Sequence, residues 1–598
     1  MSRLMFYTPL RRAHVIAPFG PGALLLTSNR VSAIVCGPAT WLRSRPTRRV
    51  GSVSVLDELT ITDRHLEAAT GVERFVMPWA APDHPSSEID WLIPGARFPL
   101  AEACSNPYCQ RMVYRDTADA SEGRCKACST PSAKRGRWPT FQVALVLACP
   151  EGHLSDIDWD GWLHGQGGNE CATPDIRYRV GTSADRPTVS CNGCNRRAQF
   201  DPNVDFPCTG AQPWLPHRGP EPCAQRARPL ERTSAAIYYP WQMTSLTIPV
   251  AGADNPALLH VLTDNAVLRT LRRLPRADAV IEQLVAGARR VGIRTDAPEV
   301  TRHLDALDHD HVIGPSRADE LTALCSGDHP RRITSALPDL VVEPQDVAAY
   351  RDSRLGALLA GVSLVPRLRE TRILAGFSRV EPVPVDTKAG YAQLWGNERP
   401  PEFAEQSNDD WLPGYQVFGE GILLVLAPAA VDRWAARAVH IPRALKAASP
   451  AQYLVEPARP LPWLLAHTLA HLVMRAAAPH SGYPLPSLRE RIFAVDGRTA
   501  LLVYTAAGDV HGTLGGLVEL GSPERLGIIL EAALNAASWC PTDPVCAEDG
   551  PGPRGQGTTP GACHHCLLVS ETSCEAFNHG LDRAVLHGQP GGVPGFIG

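Results

Sequence analysis

Paired cysteines are the side chains of this chain best suited to chemistry. Cys104-x4-Cys109 is followed by Cys125-x2-Cys128, and Cys191-x2-Cys194 is followed by Cys208 and Cys223. A second window near the C-terminus holds Cys540, Cys546, Cys563-x2-Cys566 and Cys574. Thiolates a few residues apart on a tight turn converge on one ion, and Zn2+ takes four such ligands tetrahedrally. The spacing predicts about three structural Zn2+ ions. Disulfides need an oxidising compartment, and the opening MSRLMFYTPLRRAH lacks the apolar core of a signal peptide. Cys36, Cys171 and Cys325 stand alone and read as packed core thiols.

Other chemistry has weaker support. Cys149 and His153, in ACPEGHLSDIDWDGWLH, could form half a metal site, and His153 with Asp156 an acid/base pair. A histidine at such a strand-to-loop corner more commonly hydrogen-bonds backbone or carboxylate. His467 and His471 lie at i, i+4, the spacing of zinc peptidases, but Thr468 stands where their general-base Glu is required. A buried polar seam on a helix is the better reading. The lysines (Lys126, Lys134, Lys388 and Lys446) are each followed by Ala or Arg, so no Gly-Lys-Ser/Thr phosphate loop exists.

The elements that must position these groups emerge from composition and periodicity. At 598 residues the chain exceeds one core, and 44% hydrophobic with 20% charged residues is ordinary for a globular protein. No apolar run approaches the roughly 20 residues needed to cross a bilayer, so a cytoplasmic protein without a membrane partner is expected. Residues 1–100 read as short strands and turns, and 101–230 as a cysteine-rich region of zinc-ribbon-like modules. Residues 231–450 form a mixed middle with helical spacing over 255–330. Residues 451–598 open with the helix PWLLAHTLAHLVMRAA, then the strand TALLVYT and the helix SPERLGIILEAALNAASW, with Ser522 as its cap. The fold class is therefore α+β and multidomain: zinc modules in the N-terminal half, a helical middle and a mixed α/β zinc-binding C-terminal domain.

Charge is uneven. No acidic residue precedes Asp57, while Arg3, Arg11, Arg12, Arg30, Arg43, Arg45, Arg48 and Arg49 do. Such a local field attracts phosphate or an acidic protein surface. Arg43, Arg45, Arg48 and Arg49 are the candidate nucleic-acid contacts.

RRAHVIAPFGPGALL, ACPEGHLSDIDWDGWLH, YYPWQMTSLTIP, LRETRILAGFSRV, GEGILLVL and the tail HTLAHLVMR…GTLGGL…CPTDPVC…ACHHCLLVSETSCEAFNHGLDR resemble the DrmB family, the core component of the DISARM anti-phage system. The tail is also similar to the zinc-binding domain behind DEAH-type helicase modules in MrfA-like repair helicases, including Cys574, Asn578 and Leu581-Asp582-Arg583. The resemblance implies a non-catalytic subunit that acts with DrmA, a separate helicase-like ATPase, and engages DNA with it. It further implies one zinc on Cys104, Cys109, Cys125 and Cys128, and a second on Cys191, Cys194, Cys208 and Cys223. The third would draw on Cys540, Cys546, Cys563, Cys566 and Cys574, whose halves are separated by the insert 550–561. Two rivals belong to other classes: a metal-dependent nuclease or hydrolase using Asp156, Asp158 and the histidines, and an architectural scaffold without nucleic-acid contact.

Overall fold

The computed structural model describes residues 10, 12–27, 30–43, 59–70, 72, 74–78, 93–117, 122–128, 138–165, 171–181, 186–216, 218–248, 255–313, 317–327, 339–380, 411–438, 460–505, 515–549, 561–576, 578–588 and 594–597. Its backbone is an eight-stranded sheet built on two long strands, Leu359–Ser378 and Trp411–Leu426, paired antiparallel over most of their length. Tyr239–Leu246 and Leu340–Gln345 pair with the first of these, and Arg498–Thr505 with the second, followed outward by Leu488–Val495. Arg74–Val76 joins the start of Trp411–Leu426 in parallel and carries Thr60–Ile61 beyond it. Strands from both sides of residue 450 thus share one sheet.

The helix Leu461–Ser481 covers one face of this sheet. Pro462 stands in its first turn, where a missing N–H costs nothing. It ends at Gly482, whose φ of 77° is the left-handed conformation that favours glycine. Its residues are buried almost all round from Leu461 to Met474, as for a helix enclosed on every side. One side meets the strands Leu488–Val495 and Arg498–Thr505, and another the helix Pro523–Ser538. Together these elements form the largest apolar core. Ser522 holds the cap position of Pro523–Ser538, but its side chain makes no capping bond. Pro523, already set for helical φ, begins the helix instead.

The middle is helical as its periodicity predicts, with Pro256–Asp264, Ala266–Arg272, Asp278–Arg290, Ala297–Ile313 and Arg317–Cys325. The first four enclose a core of their own around Leu258, Leu284 and Val300. In the N-terminal half, small sheets replace a single large one. Ala101–Cys104 pairs with Met112–Tyr114 and Thr140–Gln142, Leu145–Ala148 with Arg226–Glu231, and Thr188–Cys191 with Ile176–Arg179 and Arg197–Gln199. The architecture is mixed α/β and multidomain, with several cysteine clusters in the N-terminal half and at the C-terminus. Among the described residues, no helix is long and apolar enough to cross a membrane.

Candidate metal centres

Four thiol-rich clusters are assembled by these elements, and their geometry tests whether a metal suits them. All the described cysteines are free thiols. Neighbouring sulfurs within the clusters lie 3.4–3.9 Å apart, far beyond the ~2.05 Å of a disulfide. A tetrahedron of Zn–S bonds of ~2.3 Å has edges of ~3.8 Å. The spacing is that of a metal cage.

Cys104, Cys109, Cys125 and Cys128 come together as their spacing predicts. Cys104 ends the strand Ala101–Cys104, and the turn after it brings Cys109 back by a bond from its N–H to the Asn106 carbonyl (3.0 Å). Cys125 is tied to Trp138 by backbone, just before the edge strand Thr140–Gln142, so both halves meet at one end of a three-stranded sheet whose central strand Cys104 closes. Asn106 Nδ2 donates to Cys128 Sγ (3.5 Å) and Arg177 to Cys109 Sγ (3.4 Å), both favouring thiolates.

Cys191, Cys194, Cys208 and Cys223 do not form one set. Cys208 and Cys223 meet Cys149 and His153, while Cys191 and Cys194 meet His164 and Cys171. The reason is strand pairing. Leu145–Ala148 lies beside Arg226–Glu231, so the residues just outside this pair face each other across the intervening chain. The second set lies inside that loop, between helix Trp159–Gly165 and the sheet of Thr188–Cys191. Cys171 is therefore a cluster member rather than a packed thiol. Cys36 is packed, and burial pushes its thiol up to about 12. Cys325 is exposed, so it is not a core thiol.

Both sets recruit a histidine held from behind by a carboxylate. His153 Nδ1 faces Cys149 Sγ at 3.3 Å while its Nε2 lies 2.7 Å from Glu221 Oε1. His164 Nε2 faces Cys194 Sγ at 3.3 Å while its Nδ1 lies 2.7 Å from Asp160 Oδ1. A carboxylate behind the ring fixes its tautomer and leaves the other nitrogen for a metal. The turn Cys191-Asn192-Gly193-Cys194 depends on its glycine, since a Cβ on Gly193 would stand 2.1 Å from the Thr173 carbonyl oxygen. Cys-x3-His at 149–153 and a histidine seven residues before Cys171 were the readable signals for these ligands.

At the C-terminus Cys540, Cys546, Cys563 and Cys566 converge, all buried. Cys540 follows helix Pro523–Ser538, Cys546 lies in the short helix Val545–Asp549, and the Gly561 N–H bonds the Cys546 carbonyl (2.7 Å), closing the two halves. The insert 550–560 lies outside the described residues. The Cys566 thiol bonds Cys546, and this bond, aided by the other thiols and Arg583, draws Cys546 down to about 5. The same bond and burial push Cys566 up. Thiols alone must share ionisation unequally in this way, whereas a divalent cation stabilises all four thiolates together. Cys574 stands apart from this set, grouped with His467, His471 and Glu490.

The remaining candidates have structural partners. Asp156 accepts the backbone N–H groups of Leu100 (3.0 Å) and Ala101 (3.1 Å), and Asp158 that of Gly161 (2.9 Å). His153 pairs with Glu221, not Asp156. Arg43 ends the helix Pro38–Arg43, its side chain outside the described residues, as are Arg45, Arg48 and Arg49 altogether.

Comparison with known proteins adds three likenesses. Residues 11–239 match a family model described as a domain of unknown function, DUF8724. A solved structure, the DUF1998 helicase MrfA bound to DNA, aligns at 12% identity with a TM-score of 0.16, covering 34% of this chain and 21% of that one. The DISARM protein DrmB of Bacillus paralicheniformis is 26% identical over 518 residues, 83% of this chain and 89% of its own. That likeness to the DISARM protein DrmB is sustained over most of both chains.

Proposed function

We propose that the protein is a non-catalytic, zinc-stabilised subunit of a DISARM-type anti-phage complex, which partners a separate helicase-like ATPase and contributes to engaging DNA. The observation that carries this reading is the likeness to a DISARM protein along 83% of the chain. Two features of the chain support the division of labour. No Gly-Lys-Ser/Thr loop is present to cradle a triphosphate. Asp156 and Asp158, the carboxylates a hydrolase would use, are spent on backbone N–H groups. The thiol-rich clusters act as Zn2+ staples, in zinc-ribbon-like modules toward the N-terminus and a helicase-associated type of domain toward the C-terminus.

Co-expression with a DrmA-type helicase-like ATPase tests the reading. The two proteins are expected to co-purify, and ATP hydrolysis to follow the partner. DNA binding by the pair should weaken, with a flatter salt dependence, when Arg43, Arg45, Arg48 and Arg49 are neutralised, because each lost phosphate contact lowers counterion release. That loss should be similar for all sequences, since phosphate contacts carry no base information. Unchanged DNA affinity with weaker association would make the arginines a protein interface. Divalent-metal-dependent DNA cleavage by the isolated chain would replace the reading with a nuclease.

A further inference from the structure

Four ligand-type side chains from three elements meet in the core of the C-terminal half, apart from the Cys540 cluster. His467 and His471 lie one turn apart on helix Leu461–Ser481, Glu490 on strand Leu488–Val495, and Cys574 just past the turn Glu571–Ser573. His467 Nε2 stands 3.0 Å from Glu490 Oε1 and 3.1 Å from Cys574 Sγ. His471 Nε2 stands 3.4 Å from the same carboxylate oxygen. Both histidines are fully buried, and Glu490 is 1% exposed.

The backs of the two rings decide what their fronts are. His467 Nδ1 lies 3.0 Å from the Gly580 carbonyl oxygen, and His471 Nδ1 3.0 Å from that of Leu567. A carbonyl only accepts, so each Nδ1 carries a proton and donates it. In a neutral ring Nε2 is then a lone pair, and both lone pairs are aimed at a carboxylate that also only accepts. Cys574 Sγ meanwhile accepts the backbone N–H groups of Ala576 (3.3 Å) and Asn578 (3.2 Å), the surroundings of a thiolate. Glu490 Oε2 is buried without a hydrogen-bond partner. Protonating both rings would repair these contacts only by placing two cations, with ring centres 4.6 Å apart, among buried side chains. One divalent cation gives both ring lone pairs, the carboxylate and the thiolate a common partner.

We propose that His467, His471, Glu490 and Cys574 bind a divalent metal ion of the zinc class. Two imidazoles, one carboxylate oxygen and one thiolate suit a borderline ion, whereas Mg2+ and Ca2+ prefer all-oxygen shells. The two carbonyls behind the rings are the outer shell such histidines use. Four protein ligands close a tetrahedron, so the ion pins the helix, the edge strand and the C-terminal tail together. Glu490 and Cys574 also line a cavity of ≈ 300 Å³ with Arg317, Arg489 and Tyr504, through which an ion can enter. This assignment goes beyond the proposed defence role and does not depend on it.

The test uses the full chain loaded with Cd2+, read by cadmium NMR, together with zinc analysis of the purified protein. We expect one resonance well upfield of those from thiolate-rich sites. His471→Gln should abolish that resonance and remove one zinc equivalent, leaving the others in place. The wild-type spectrum decides the matter even where the variant does not fold. A fully loaded wild type with thiolate-rich resonances only, or a folded His471→Gln variant with undiminished zinc, would overturn the assignment.

Discussion

The clusters of the N-terminal half and the Cys540 cluster share a donor chemistry but occupy different surroundings. Toward the N-terminus, Cys104, Cys125, Cys149 and Cys191 are buried, but Cys109, Cys128, Cys171, Cys208 and Cys223 are half-buried and Cys194 is exposed. They rim small sheets whose shared core centres on Leu145, Trp159, Tyr178 and Phe200. The Cys540, Cys546, Cys563 and Cys566 thiols are all buried and belong to the largest core, packed with helices Leu461–Ser481 and Pro523–Ser538. A rim cluster holds loops that have little apolar area of their own. A core cluster replaces part of the apolar packing itself. Losing an ion therefore has a local consequence in the first setting and a global one in the second.

The largest expected effect is that of Cys563→Ser. Structural Zn2+ sites contribute roughly 10–16 kcal/mol of apparent binding free energy, comparable to the whole 5–15 kcal/mol or so that stabilises a typical domain. The variant should lose one zinc and the cooperative unfolding of the C-terminal half, seen by calorimetry and limited proteolysis. An unchanged melting profile would erase the distinction drawn between the two settings.

Cys125→Ser should act on a smaller scale. Hydrogen exchange is expected to rise over residues 101–142, while the paired strands Leu359–Ser378 and Trp411–Leu426 keep their protection. Simultaneous loss of protection in both regions would show that the rim cluster also supports the main sheet.

Glu221→Gln is milder again, because it leaves every ligand in place. Loss of an outer-shell carboxylate typically costs about 10–100-fold in metal affinity. Competition with a chromophoric chelator should show one site weakened by that factor and the rest unchanged. Equal affinities would mean that the 2.7 Å contact between His153 and Glu221 does not tune the ligand.

The smallest effect is one of rate in the unmodified protein. With excess chelator, the set containing exposed Cys194 should surrender its ion first and the buried Cys540 set last. The reverse order would place the more accessible metal at the C-terminus, against the burial of its thiols.

Local features of the chain were legible wherever neighbours in sequence determine geometry. The turn spacing of Cys125-x2-Cys128 and Cys563-x2-Cys566, the helical periodicity of 255–330 and 461–481, and the strand at Arg498–Thr505 all depend on short-range sterics and burial patterns. Ser522 was read correctly as a helix start, although proline rather than its hydroxyl begins the helix. The His467/His471 pair was legible as buried and polar, but its two partners were not.

Which distant pairs share a cluster was decided only in three dimensions. Cys191, Cys194, Cys208 and Cys223 follow one another along the chain, yet pairing of Leu145–Ala148 with Arg226–Glu231 nests one set inside the other. That nesting brings in His153, His164, Cys149 and Cys171. Cys574 lies eight residues beyond Cys566, but the turn at Glu571–Ser573 carries it to His467, His471 and Glu490 and away from the other thiols. Residue type and local spacing determine that a thiol can bind a metal. Strand register and helix docking determine which ligands it meets, because those contacts join segments whose separation along the chain carries no record of their distance in space.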